Sequence, residues 1–147
     1  MKKMLIIPVA AFMMIACNNT DKKTTPAAMT PEEVQQAKTD TARFTTIEWI
    51  DSPAKNLGSL KKDQEIEISY RFKNSGDNML IIEDVKAGCG CTIPVKPEQP
   101  FAPGEEGLIK AKFDGRGTGH ITKQITVLAN TTPSKDHSLT FSGDIKE

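Results

Sequence analysis

The chain has 147 residues, with 19 Lys and Arg set against 19 Asp and Glu, 37% apolar residues and only 5% aromatic ones. That length accommodates one domain of ordinary size with extensions. A charge balance this even excludes the basic footprint of a nucleic-acid binder.

The amino terminus opens with Met1-Lys2-Lys3, followed by an apolar run from Met4 to Ile15 broken only by Pro8. The run is too short to span a bilayer, so residues 1–16 are predicted to be a signal peptide. Its end, Met14-Ile15-Ala16-Cys17, resembles the lipobox of bacterial lipoproteins, with Met14 where Leu is usual. That resemblance implies cleavage before Cys17, a diacylglyceryl thioether on its sulfur and an acyl chain on its amine. Several acyl chains give stable anchoring, each buried CH₂ adding roughly 0.8 kcal/mol. The alternative is a secreted protein in which Cys17 is incidental. Position 18 is Asn, not the Asp that resembles an inner-membrane retention signal. The expected location is therefore the cell envelope, anchored in the outer membrane and facing the periplasm. Cleavage removes Lys2 and Lys3 and no acids, so the mature chain stays near neutral.

Residues 17–40 are polar, without an aromatic residue, and are expected to form a flexible tether. A coil of that length would reach roughly 25–30 Å. Within it, Thr30-Pro31-Glu32-Glu33 reads as an N-cap, a proline at the first helical position and a capping-box Glu. The spacing predicts a short helix over 31–38. Only Val34 and Ala37 offer it apolar contact, so it would be marginal alone.

Residues 41–147 carry the period-two pattern of half-buried strands. Phe44 to Ile50 and the short segment Leu57–Leu60 supply one or two strands. Ile66, Ile68, Tyr70 and Phe72 alternate with charged and polar residues, and Asn74-Ser75-Gly76-Asp77 turns the chain. Met79 through Val85 reads as a more fully apolar strand. After the turn formers of Phe101–Gly107 come Ile109, Ala111 and Phe113. Asp114–Gly119 is a second turn, and Ile121, Ile125, Val127 and Ala129 share one parity. Leu139, Phe141 and Ile145 complete the last strand, with Gly143 marking a bulge. About seven strands with regular turns predict an all-β, immunoglobulin-like antiparallel sandwich. The expected core is Ile47, Trp49, Leu57, Ile66, Ile68, Tyr70, Phe72, Ile82, Val85, Ile109, Phe113, Ile125, Val127, Leu139 and Phe141. Trp49 and Tyr70 sit inside these apolar patterns, which favours core roles over ligand stacking.

The chemistry-bearing stretch is Gly88-Cys89-Gly90-Cys91. In an extended strand both sulfurs would share a face with their Cβ atoms too far apart to bond. A Cys89–Cys91 disulfide therefore requires a turn, which the glycines permit, and exposed bonds of that kind are the labile ones. Two thiolates also suit a soft ion such as copper(I), or half of a zinc site. His120 and His137 complete a Cys2His2 set by count, but the spacing matches no zinc motif, and His120, beside a turn, is a weak candidate ligand. The third reading is a structural corner with buried, inert cysteines. Lys123 interrupts the inward parity of its strand, which points to a register shift or a snorkelling side chain. No G-x-S-x-G elbow, phosphate loop or H-E-x-x-H occurs, so no enzyme is expected. No cofactor is expected either, short of copper or zinc at the cysteines.

In order along the chain, Leu57-Gly58, Phe72-Lys73-Asn74-Ser75-Gly76, Leu80-Ile81-Ile82, Cys89-Gly90-Cys91-Thr92, Pro103-Gly104-Glu105-Glu106-Gly107, Phe113-Asp114, Ile125 to Asn130, and Gly143 resemble the bacterial family called domain of unknown function 1573. The resemblance covers about Phe44 to Lys146. It implies an immunoglobulin-like sandwich, related in style to cilia-associated and sperm-protein domains, and frequent export with lipid anchoring. It implies no activity, and its cysteine pair falls on Cys89 and Cys91. The function expected is a lipid-anchored, non-catalytic interaction or structural module that meets the membrane through its anchor and an envelope protein or glycan through its domain. The alternative is thiol redox or soft-metal binding at Cys89 and Cys91.

Overall fold

A computed structural model describes residues 29–147. The predicted signal peptide, the lipidation site at Cys17 and the tether up to residue 28 lie outside the described residues. The first element is helix α1, Pro31–Thr39. Thr30 caps it as its residue types require: the Thr30 hydroxyl accepts from the Glu33 amide, and the Glu33 carboxylate accepts from the Thr30 amide at 2.8 Å. The helix is seated on the domain. Ala37 is buried, and the Lys38 carbonyl accepts from Lys135 Nζ at 3.2 Å. Over these residues the expected tether is thus held in place, because one small apolar side chain and a terminal carbonyl both find partners on the sandwich.

Eight strands follow: β1 Ile47–Trp49, β2 Ala54–Lys61, β3 Ile66–Asn74, β4 Ile82–Ala87, β5 Thr92–Val95, β6 Glu106–Phe113, β7 Gly119–Ala129 and β8 Asp136–Lys146. They form two four-stranded sheets, ordered β1-β3-β6-β5 and β2-β8-β7-β4. The inward parities of β3, β6, β7 and β8 face one another. Tyr70, Phe72, Ile109, Phe113, Ile125, Val127, Leu139 and Phe141 are almost wholly removed from solvent. Every residue expected in the core is buried there or packs against it, and Leu60, Leu80, Ala111, Ala129 and Ile145 join them. The two faces are also tied by a hydrogen bond, from the Tyr70 hydroxyl on β3 to the Thr140 carbonyl on β8, at 2.7 Å.

Three details depart from the sequence reading. Strand β2 pairs with β8 in parallel, from Ala54↔Thr140 to Lys61↔Lys146, so the second sheet is mixed. The bulge lies on β2, between Asn56 and Ser59, where Gly58 takes a φ of 69°. Gly143 keeps regular register with β7 and instead makes room: a Cβ there would meet Leu60 at 2.8 Å. Finally, the Met79–Val85 run changes pairing partner midway. Leu80 exchanges backbone bonds with Phe101, while Ile82 onward pairs with β7. The Asn130 side chain covers the switch by accepting from the buried Ile81 amide at 2.7 Å.

Candidate functional site: the disulfide crossover between the sheets

Strand β4 is an edge of the second sheet and β5 an edge of the first. The cysteine stretch is the crossover between them. On the β4 side the Gly88 amide still bonds the Gln124 carbonyl of β7, at 3.0 Å, and on the β5 side the Asp114 amide bonds the Cys91 carbonyl, at 3.1 Å. Between those two fixed points the chain turns tightly enough to bring the Cα atoms of Cys89 and Cys91 to 5.4 Å, and the two sulfurs are bonded to each other. An extended strand would hold those Cα atoms about 6.6 Å apart. Of the three readings, the structure therefore shows the disulfide.

The glycines have a different role from the one their residue type suggests. Neither Gly88 nor Gly90 has left-handed backbone, and a Cβ at Gly90 would meet nothing within 4 Å. Both are exposed, and they place no side chain beside the two half-buried cysteines. The two cysteines differ in surroundings. Cys91 packs against the core, whereas Cys89 lines an open recess of about 300 Å³ with Gly88, Thr122, Lys123 and Gln124. The Thr92 hydroxyl lies 3.8 Å from Cys89 Sγ. Lys123 keeps the inward register, opposite Phe141, is half-exposed, and is one of the residues lining the recess. The irregular parity of β7 is thus a snorkelling lysine and not a register shift. Among the described residues no carboxylate pairs with it.

A loop closed across a single residue constrains the unfolded chain little, so the bond adds only roughly 1–2 kcal/mol to stability on the chain-entropy account. A covalent bond so placed contributes little to holding the sandwich together.

The histidines do not assemble with the cysteines. His120 Nδ1 faces Asp144 Oδ1 across the β7–β8 pair at 3.0 Å, and it lies four residues, about 13 Å of strand, from Gln124. His137 is at the other end of the hairpin, half-buried, with Nε2 2.7 Å from the Thr131 hydroxyl and its ring beside Trp49. Burial holds its pKa below the ordinary imidazole value. Among the described residues no three His, Cys, Asp or Glu side chains gather as a ligand set. The aromatics are committed to packing: Trp49 meets Phe72 edge-on at 5.8 Å, and Tyr70 is fully buried. Asp51 accepts from both Lys55 and Arg71, and these bonds hold its carboxyl well below the usual range.

Sequence reasoning missed strand β5 and the surface it carries. The exposed large apolar side chains among the described residues are Ile50, Ile93, Val95 and Leu108, and the last three share the outer face of β5 and β6. The signal was present as alternation in Thr92-Ile93-Pro94-Val95, but four residues with a central proline fall below what periodicity can resolve.

Two four-stranded sheets packed face to face, with the chain crossing between edge strands, define an immunoglobulin-like β-sandwich. The chain belongs to the family described as proteins of unknown function, DUF1573, which it matches over residues 47–145. No curated protein matches it. Among solved structures it is similar to a Porphyromonas gingivalis W83 protein of unknown function, at a TM-score of 0.62 and 16% identity over 71% of this chain and 48% of that one. It is similar to PapD-like domain 7 of human CEP192, at 0.56 and 12% over 71% and 88%. A third is a chain of the CsuC–CsuE chaperone–tip adhesion subunit pre-assembly complex of Acinetobacter baumannii, at 0.52 and 11% over 69% and 57%. The chain thus spans about half the length of the P. gingivalis protein, and at these identities the likeness is one of fold.

Proposed function

We propose that this protein is a lipid-anchored module of the bacterial cell envelope, non-catalytic, that holds a partner protein against the outer face of β5 and β6. The observation carrying this reading is the exposure of Ile93 and Val95, 65% and 52%, beside Leu108 at 42%. Aliphatic side chains gathered on one sheet face are what a protein partner buries. The lysines on that face are already paired, Lys110 with Glu67 and Lys112 with Glu65, both at 3.1 Å. The surface therefore offers apolar contact with little unpaired charge, which suits an apolar protein segment. A glycan is less well served, because sugars stack on exposed aromatics and Trp49 and Tyr70 are packed. The anchor is the acylated Cys17, read from the lipobox-like Met14-Ile15-Ala16-Cys17.

The test is a photo-crosslinker placed at position 93 of the full chain in living cells, with and without Val95→Lys, alongside a second crosslinker site at Lys62 on a different part of the surface. The expected product is one discrete heterologous adduct at position 93, absent at position 62 and abolished by Val95→Lys. Adducts equal at both positions, or only a self-dimer, would overturn the partner assignment. Fractionation of a Cys17→Ser chain tests the anchor: release from the membrane fraction is expected, and retention would refute it.

A further inference from the structure

We propose a second property that does not depend on the β5–β6 surface: the Cys89–Cys91 disulfide is an exchange site that accepts two electrons from a dithiol of an envelope protein, with Cys89 as the sulfur attacked and Lys123 as the residue that positions the incoming thiolate. Four observations converge on it. The bond spans a single residue at an edge crossover, so opening it leaves both sheet ladders in place. Gly88 beside the bond and Gly90 within its loop are exposed, carry no side chain and have no left-handed backbone that requires glycine. The two half-buried cysteines differ in surroundings: Cys89 lines the recess, and Cys91 packs against the core. Lys123, which among the described residues pairs with no carboxylate, lines the same recess.

The reaction is ordinary thiol–disulfide exchange. A partner thiol gives its proton to solvent, and its thiolate attacks Cys89 Sγ. The Cys89–Cys91 bond breaks, and its electron pair leaves on Cys91 Sγ, which takes up a proton. A mixed disulfide now joins Cys89 to the partner. The partner's second thiolate attacks the partner sulfur of that bond, the electron pair leaves on Cys89 Sγ, and that sulfur is protonated in turn. The dithiol has lost two electrons and two protons, and the Cys89–Cys91 pair has gained them. The Thr92 hydroxyl, 3.8 Å from Cys89 Sγ, is placed to donate to the departing Cys89 thiolate. The Lys123 ammonium lowers the cost of bringing a thiolate into the recess.

The experiment uses the full chain carrying Cys17→Ser, so that Cys89 and Cys91 are its only cysteines. The probe is glutathione, reduced and oxidised, with alkylation and intact mass as the readout. The oxidised protein is expected to be reduced by reduced glutathione while its near-ultraviolet circular dichroism stays native. With Cys91 also changed to Ser, oxidised glutathione should add to Cys89 at least tenfold faster than it adds to Cys91 in the Cys89→Ser counterpart. Lys123→Gln should slow addition at Cys89 roughly three- to tenfold, the scale of one nearby charge at a protein surface, and Lys123→Arg should restore it. The thermal midpoint of both lysine variants should be unchanged, which separates positioning from a structural role. Resistance of the folded protein to glutathione, equal rates at the two sulfurs, or no effect of Lys123→Gln would each overturn the assignment.

Discussion

Tyr70 shows what a single residue can do in a sandwich. Its ring fills the core, and its hydroxyl spans the two sheets to the Thr140 carbonyl at 2.7 Å. Tyr70→Phe would leave that carbonyl without its partner and should cost about 1–2 kcal/mol in urea unfolding, with the fold retained. The same burial pushes the Tyr70 pKa up to about 12 from an ordinary 10. The unfolded chain therefore ionises first as pH rises. The stability this tyrosine contributes is complete below pH 10 and is lost as pH climbs toward 12. Unfolding midpoints between those values should fall for the native protein and fall less for Tyr70→Phe; parallel declines would refute the assignment. The sequence made Tyr70 legible as a core residue through its alternation with Ser69 and Arg71. Its hydrogen bond was not legible, because Thr140 is seventy residues away and pattern carries no information about distant carbonyls. The same limit applies to Cys89 and Cys91, whose pairing depends on a turn set by Gln124 and Asp114, in or beside other strands.

Among the elements, α1 and β5 stand at opposite ends of legibility. The α1 capping box is local, so Thr30, Pro31 and Glu33 announced the helix plainly. What it rests on is tertiary. Lys135, in the turn before β8, donates to the Lys38 carbonyl, pairs with Glu83 at 2.8 Å and lies 5.4 Å from the centre of the Phe44 ring. One lysine thus joins the helix, β4 and the entry to β1. Nine residues are too few for a stable isolated helix, so the seat decides whether it persists. Ala37→Glu would force a carboxylate into a site now 3% exposed, a substitution that costs more than so short a helix can offset. Amide exchange at Val34 and Gln36 should accelerate at least about tenfold, while the amides of β3 and β7 keep their protection. Unchanged exchange in the helix would mean that α1 does not rely on the domain. Strand β5 was illegible because it is short, carries Pro94 and exposes its apolar residues, the reverse of the pattern that identifies a core strand.

At the scale of the whole molecule, one core carries the fold and the disulfide sits outside that division of labour. The core draws on strands of both sheets, from Leu60 on β2 to Ile145 on β8, and its faces meet through Tyr70. The immunoglobulin-like class was readable because β3, β6, β7 and β8 announce their inward faces by alternation, whereas the parallel β2–β8 pair was not, since strand direction leaves no mark on parity. The cysteine bond closes a loop of one intervening residue at the rim. The physical consequence is a domain whose redox state can change without unfolding. Cys89→Ala with Cys91→Ala should lower the unfolding free energy by only roughly 1–2 kcal/mol, and should leave the denaturant slope unchanged, because the surface exposed on unfolding is set by the core and not by the crossover. A loss of 4 kcal/mol or more, or a changed slope, would show that the crossover holds the two sheets in register. A small loss leaves the cysteines free of structural duty, as a bond that opens and closes on a standing sandwich must be.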